Sequence, residues 1–160
     1  MTGKTNAARI LDRAGVRYRL VSYRVDEEDL GAAHLARQLG EDGERVFKTL
    51  VLKGDRTGHL VCVIPGMAGL DLKKAAKASG NKSCSMLPMK ELQATTGYVR
   101  GGCSPIGMKK PFPTLIDETA MLYPEIYVSA GARGLQLLLS PEDLAAVAGA
   151  AMVDLVAAGA

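Results

Sequence analysis

The sequence predicts an α+β fold built on a mixed, largely antiparallel sheet. Three observations point there. Segments rich in strand formers fall into two adjacent pairs, 46–53 with 59–65 and 125–129 with 135–139, each joined by a short glycine-containing loop. Segments with helical spacing lie between and around these pairs. The connections are short, and no repeat, linker or low-complexity block interrupts them before the alanine-rich end. A chain of 160 residues suits one domain with its own core. Hydrophobic residues at 48% and charged residues at 23% exclude a disordered or collagen-like chain. With no Trp and two Phe, that core must be mostly aliphatic.

The elements follow in order. Residues 5–14 place Ala7, Ala8, Ile10 and Leu11 on one helical face, and Gly15 closes the helix. Residues 16–23 alternate as a strand. The acidic run Asp26-Glu27-Glu28-Asp29 supplies N-terminal charge for a helix over 30–39, ended by Gly40. Residues 46–53 form a strand, 54–58 a hairpin loop, and 59–65 the return strand. Residues 71–79 form a helix bearing Lys73, Lys74 and Lys77, stopped by Gly80. A second helix covers 88–95, with Pro88 in its first turn. A short strand at 113–116 precedes a helical turn capped by Asp117. The second hairpin turns across residues 130–134. Ser140 followed by Pro141, Glu142 and Asp143 starts the last helix, which runs to Ala148, and the tail beyond is expected to fray.

Charge and cysteine usage bound the partners. A net charge of +3 and a pI near 8.8 permit an RNA or phosphate partner without demanding one. No apolar run approaches the roughly 18 residues that span a bilayer. Residues 1–13 lack an apolar signal segment. The three cysteines, Cys62, Cys84 and Cys103, show no CxxC spacing, so a cytoplasmic, reducing location is expected. His34 and His59 stand apart without metal-ligand spacing, so no metal site is expected.

Two features carry candidate chemistry. The stretch Gly101-Gly102-Cys103-Ser104-Pro105-Ile106-Gly107 is followed by Met108-Lys109-Lys110. Adjacent glycines let a ligand approach the backbone and let successive N–H groups share one concavity. Such amides suit a carbonyl oxygen, a developing oxyanion or a phosphate. A tight turn without a ligand fits the same spacing. The second feature is Lys48, set between strand formers. Alternation groups it with Val46 and Leu50, which favours an inward cation over a solvated one. Cys103 lacks a visible base partner, so it reads as a packing thiol rather than a nucleophile. Lysines 73, 74, 77, 82, 109 and 110 with Arg133 form either a basic rim for RNA or ordinary solvated faces. Ser129 with Gly131 and Gly134 makes a second turn able to line a pocket.

Together these residues resemble a family. The segments Phe47-Lys48-Thr49-Leu50, Leu70-Asp71-Leu72-Lys73-Lys74-Ala75-Ala76-Lys77, Thr96-Gly97-Tyr98, the loop 101–107 with Lys109-Lys110, and Tyr127-Val128-Ser129-Ala130-Gly131 with Arg133-Gly134-Leu135 occur in this order in the YbaK/EbsC proteins. Those are free-standing aminoacyl-tRNA editing domains, similar to the insertion domain of bacterial prolyl-tRNA synthetase. The resemblance runs from Asn6 to Asp154 and is nearest to the YbaK branch, which deacylates Cys-tRNA(Pro). Cys103 stands where that family usually has an aliphatic residue, and Met108 where glutamine is common.

The resemblance implies a β-barrel-like sheet with surrounding helices and a pocket for the aminoacylated 3′-terminal adenosine. It implies that Lys48 meets the terminal phosphate or ester and that the Gly101 and Gly102 backbone holds the ester carbonyl. It places Tyr23, Thr49, Cys103, Ser104, Pro105, Ser129 and Gly131 around the substrate. It implies no cofactor, prolyl-tRNA synthetase as a partner in a ternary complex, and neither membrane nor DNA as partners. Cysteine's own thiol would attack its ester, since intramolecular attack has a high effective molarity. An alanyl ester would need a positioned water instead, and a non-catalytic adaptor for tRNA or synthetase would need only the basic rim.

Overall fold

The computed structural model describes residues 4–158 apart from 27, 29, 41 and 42. Helix α1 (Asn6–Arg13) starts at Thr5, whose side chain accepts from the Ala8 N–H, and buries Ala7, Ala8 and Leu11. Strand β1 (Tyr18–Ser22) leads to α2 (Ala32–Leu39), which ends at left-handed Gly40. The acidic run lies outside the first turn of α2. The helix begins after Gly31 with no acidic residue in its first turn, and Glu27 and Asp29 lie outside the described residues.

Strands β2 (Phe47–Gly54) and β3 (Gly58–Pro65) form the expected antiparallel hairpin, with Lys48 opposite Ile64. Asn81 pins the hairpin loop by accepting from the N–H groups of Arg56 and Thr57. Helix α3 (Leu72–Ser79) is capped by Asp71 and stopped by Gly80. Strand β4 (Cys84–Met86) pairs with the end of β2; its three residues are too few to show a period, so the sequence did not reveal it. The helix expected over 88–95 is a 3₁₀ turn at Met89–Glu91 followed by α4 (Leu92–Thr96), with Pro88 just before it. Strand β5 (Thr114–Asp117) is followed by the turn at Glu118–Leu122, capped by Asp117. Strands β6 (Ile126–Ser129) and β7 (Leu135–Leu139) make the second hairpin, and α5 (Pro141–Ala148) is capped by Ser140.

The tail corrects the sequence reading. Strand β8 (Ala150–Val153) lies parallel to β5, and Leu155 is fully buried. The buried Asp117 carboxylate accepts from the Leu155 N–H at 2.9 Å, and Lys74 donates to the Val156 carbonyl at 2.8 Å. Alanine-rich composition suggested fraying; those backbone and side-chain partners, far away in sequence, hold the segment instead.

Two sheets result, one in the order β1-β7-β6 and one in the order β4-β2-β3-β5-β8. The first is antiparallel; the second is mixed, with β3, β5 and β8 parallel. The α+β class is the expected one, but no closed barrel forms among the described residues. The sheets meet at a parallel bridge between Val46 and Tyr127. One face of the β1-β7-β6 sheet, through Leu135, Leu137 and Leu139, packs into the main core with α1. The opposite face carries Tyr127 and Leu138, which pack with Val46 and with Ala36 of α2. Ser129 and Gln136 lie on that second face by strand alternation.

Removing the Asp117 carboxylate would leave the buried Leu155 N–H without an acceptor. Asp117→Ala is expected to destabilise the fold by roughly 2–3 kcal/mol, read as a lower urea midpoint with an unchanged slope. A midpoint equal to the wild type would show that the tail is held without the Asp117 carboxylate.

Candidate functional site

A cavity of about 370 Å³ opens where the two sheets meet. Residues 46–51 of the β2 segment form one wall, and Ser129 and Gln136 of β6 and β7 form another. Tyr23, Asp26, Leu30, His34 and Leu35 close a third side, while Arg100, Gly101 and Cys103 bring in the glycine loop. Met86 and Met89 stand at the mouth, 45% and 59% exposed.

Lys48 lines this cavity. Its surroundings are largely apolar, and the resulting loss of hydration lowers its pKa from the ordinary lysine range. Among the described residues no carboxylate pairs with it. Thr49, Tyr23 and Ser129 line the same space. The Ser129 hydroxyl oxygen accepts from the Gly131 N–H at 3.1 Å, so Gly131 shapes the turn without lining the cavity. A side chain at Gly131 would strike the Tyr98 ring at 2.9 Å. Gln38 ties the segment after β1 onto α2 by accepting from the Arg24 N–H at 2.9 Å and donating to the Arg24 carbonyl, which sets Tyr23 at the rim.

The glycine loop is built inward from Thr96-Gly97-Tyr98. The Tyr98 hydroxyl donates to the Ile106 carbonyl at 2.6 Å, and the Lys109 N–H donates to the Thr96 carbonyl at 3.1 Å. Arg133 donates from Nε to the Arg100 carbonyl at 2.8 Å. Gly102 packs so tightly on Ala132 and Arg133 that a Cβ would sit 3.0 Å from the Arg133 backbone nitrogen. Its own N–H donates to the Val99 carbonyl at 2.9 Å, which closes a turn. Gly102 therefore does not offer the free amide expected of it, and it does not line the cavity. Gly101 and Cys103 do line the cavity, and their amides make no hydrogen bond among the described residues.

Ser104 and Pro105 are also buried away from the cavity, which departs from their expected substrate contact. The Ser104 hydroxyl oxygen accepts from the Ile106 N–H at 3.3 Å, a local turn contact. Burial pushes the Cys103 thiol up to about 12, and Cys62 likewise to about 12, so both are neutral thiols at pH 7. The basic rim is not gathered at the cavity. Lys74 pairs with Asp154 at 3.0 Å, Lys109 donates to the Ala94 carbonyl, and Arg133 is tied to Arg100. Among the described residues, no group of three His, Cys, Asp or Glu side chains is arranged to hold a metal ion. No helix of the described residues is long and apolar enough to cross a membrane.

Sequence reasoning missed Arg100, Asp26, His34 and Gln136 as cavity residues. Arg100 sits directly before the glycine pair and could have been read with it. Gln136 carried no signal beyond being a polar residue inside an apolar strand.

The profile of the family described as "Aminoacyl-tRNA editing domain" matches residues 27–147. A protein of Enterococcus faecalis named "Putative Cys-tRNA(Pro)/Cys-tRNA(Cys) deacylase EbsC" is 54% identical over 141 residues, covering 88% of this chain and 86% of the relative. A solved structure described as "a putative trans-editing enzyme for prolyl tRNA synthetase" superimposes with a TM-score of 0.82 at 26% identity, covering 97% of this chain and 99% of the other. A second solved structure, "hypothetical protein APE2540", shares the fold with a TM-score of 0.85 at 23% identity, covering 94% of this chain and 98% of its own. With the profile spanning both the Lys48 strand and the glycine loop, and more than half of the aligned residues shared with EbsC, this chain belongs to the aminoacyl-tRNA editing domain family.

Proposed function

We propose that this protein deacylates cysteinyl-tRNA, with Cys-tRNA(Pro) as its substrate, and that the substrate's own thiol performs the attack. The observation that carries the reading is the composition of the cavity. Among the described residues it holds a partly desolvated lysine without a carboxylate partner and two unused loop amides, while the protein thiol beside them is neutral. Such a site is equipped to hold an ester and stabilise developing negative charge, not to supply a nucleophile. The two substrates in the name of the Enterococcus relative share the cysteinyl ester, which supports cysteine as the acyl group.

In this mechanism the Lys48 ammonium faces the ester or the terminal phosphate. The amides of Gly101 and Cys103 serve as oxyanion donors, in place of the Gly101 and Gly102 pair. The substrate sulfur forms a bond to its own carbonyl carbon and the ester C–O bond breaks. The thiol proton ends on the departing ribose oxygen, and water then opens the thiolactone to cysteine. Positioning supplies much of the acceleration, because the attack is intramolecular. Among the cavity residues Lys48 and Arg100 are the lysine and arginine, too few to grip a tRNA body. The polynucleotide is therefore proposed to arrive with prolyl-tRNA synthetase, in a ternary complex.

Lys48→Ala is expected to lower deacylation of Cys-tRNA(Pro) by roughly 100-fold or more, with the melting temperature unchanged. Turnover equal to the wild type would remove Lys48 from the mechanism. In a panel of Cys-, Ala- and Ser-tRNA(Pro), the cysteinyl ester alone should turn over; efficient hydrolysis of the alanyl ester would point to a positioned water instead. Binding of tRNA without any deacylation would leave an adaptor.

The lowered Lys48 pKa gives a pH dependence with a definite sign. The cation is fully present below its folded-state pKa and is lost as pH rises through it. Activity above the chemical background should thus fall at a pH below the ordinary lysine range, and Lys48→Arg should move that limb to higher pH. A limb that stays in place in the arginine variant would assign it to another group.

Cys103→Ala should keep wild-type turnover. In the native protein iodoacetamide should modify the partly exposed Cys84 before the buried Cys62 and Cys103, as peptide mapping would reveal. Prior modification of Cys103 together with loss of activity in the alanine variant would restore a protein-thiol mechanism.

A further inference from the structure

Gln136 is a polar side chain on the central strand of the β1-β7-β6 sheet, 3% exposed and facing the cavity. Its Oε1 atom is buried and has no hydrogen-bond partner. A buried acceptor left empty is disfavoured unless something fills it. Its cross-strand neighbour on the same face is Ser129, whose hydroxyl accepts from Gly131 and makes no hydrogen bond to Gln136. Nothing described in the protein therefore answers the Gln136 oxygen, and it points to a ligand donor.

We propose that the Gln136 carboxamide oxygen accepts a hydrogen bond from the α-ammonium group of the substrate's aminoacyl moiety, so that the site selects esters with a free amino group. This inference rests on the aminoacyl-tRNA reading of the cavity. The depth of the residue selects the donor. Asp26, Met86, Met89 and Arg100 are exposed and stand at the mouth, where the polynucleotide must remain. Gln136, Ser129 and Cys103 are buried at 9% exposure or less. The end of the substrate that reaches them is the aminoacyl group. Its strong donor is the ammonium; its thiol is a weak one. An uncharged acceptor also suits a site in which no described carboxylate pairs with Lys48. A carboxylate on this face would compete for the lysine cation, whereas an amide oxygen orients an ammonium without cancelling that charge. The consequence is a specificity: N-acylated esters, including peptidyl-tRNA, lack the charged donor and carry added bulk into a closed end.

The test uses 3′-cysteinylamino-3′-deoxyadenosine, which cannot be hydrolysed as an ester, and its N-acetyl form. Calorimetric titration of the intact wild-type protein should show a preference for the free amine of roughly ten- to hundredfold, as expected for a hydrogen bond to a charged group. Gln136→Leu should remove the preference without lowering the melting temperature, because it also removes the empty buried acceptor. Gln136→Met serves as a second apolar variant should the leucine variant fail to fold. Equal affinity of the wild type for the two probes, absence of binding to both, or an undiminished preference in the apolar variants would each overturn the proposal. A wild type that prefers the free amine yet leaves Cys-tRNA(Pro) intact would retain the inference and refute the deacylase reading.

Discussion

The seam between the two sheets is the constraint on which the site depends. Val46, directly before β2, bridges to Tyr127 in β6, and Tyr127 in turn packs with Leu138 and with Ala36 of α2. This small apolar cluster ties the antiparallel sheet to the mixed one. Among the described residues the two sheets do not pair beyond it, and the space between them is the cavity. Lys48 lies two residues past the bridge on one side, and Ser129 two residues past it on the other. Their convergence is a result of register: in either strand a slip of one residue would turn the functional side chain to the opposite face.

The glycine loop is seated by contacts that tolerate no side chain. Gly102 lies against the backbone of Ala132 and Arg133, and Gly131 lies against the Tyr98 ring. These two approaches join the loop over 101–107 to the turn of the β6-β7 hairpin, while the Tyr98 hydroxyl fixes the far end of the loop through the Ile106 carbonyl. The recurring motifs around residues 96–98, 101–107 and 127–135 are thus one packed unit. The loop's amides divide their labour: that of Gly102 closes a turn on Val99, and those of Gly101 and Cys103 are left for a ligand.

The electrostatic design is sparse. A cation is placed where its hydration is reduced and, among the described residues, no carboxylate neutralises it, which raises its effect on a developing negative charge. The Cys103 thiol, which lines the same cavity, is held neutral by burial. Acidic groups are used elsewhere for structure. Asp117 holds the C-terminal segment, Asp71 caps α3, and Asp55 accepts from the N–H groups of Lys82 and Ser83. Lys74, counted at first with a possible RNA surface, is part of the same structural set through Asp154.

The sequence by itself determined the local elements and the chemistry they could carry. Stretches rich in strand formers around Lys48 and around Ser129 marked both hairpins, and signals such as Ser140, Gly40 and Gly80 marked helix ends, because these depend on neighbours within a few residues. The pairing of Lys48 with a glycine loop was also legible as a pattern of residue types. Three things were decided only by tertiary structure. Strands β4 and β8 exist through long-range pairing, β8 with β5, and the residues after β8 are held by Asp117 and by Lys74 of α3. Which loop amides remain free depends on a turn closed by Val99. Gln136 became a site residue because β7 lies between two other strands and presents that side chain to a space bounded by a different sheet. A single strand's pattern records that one side chain differs from its neighbours; only the packing of distant segments determines what that side chain faces.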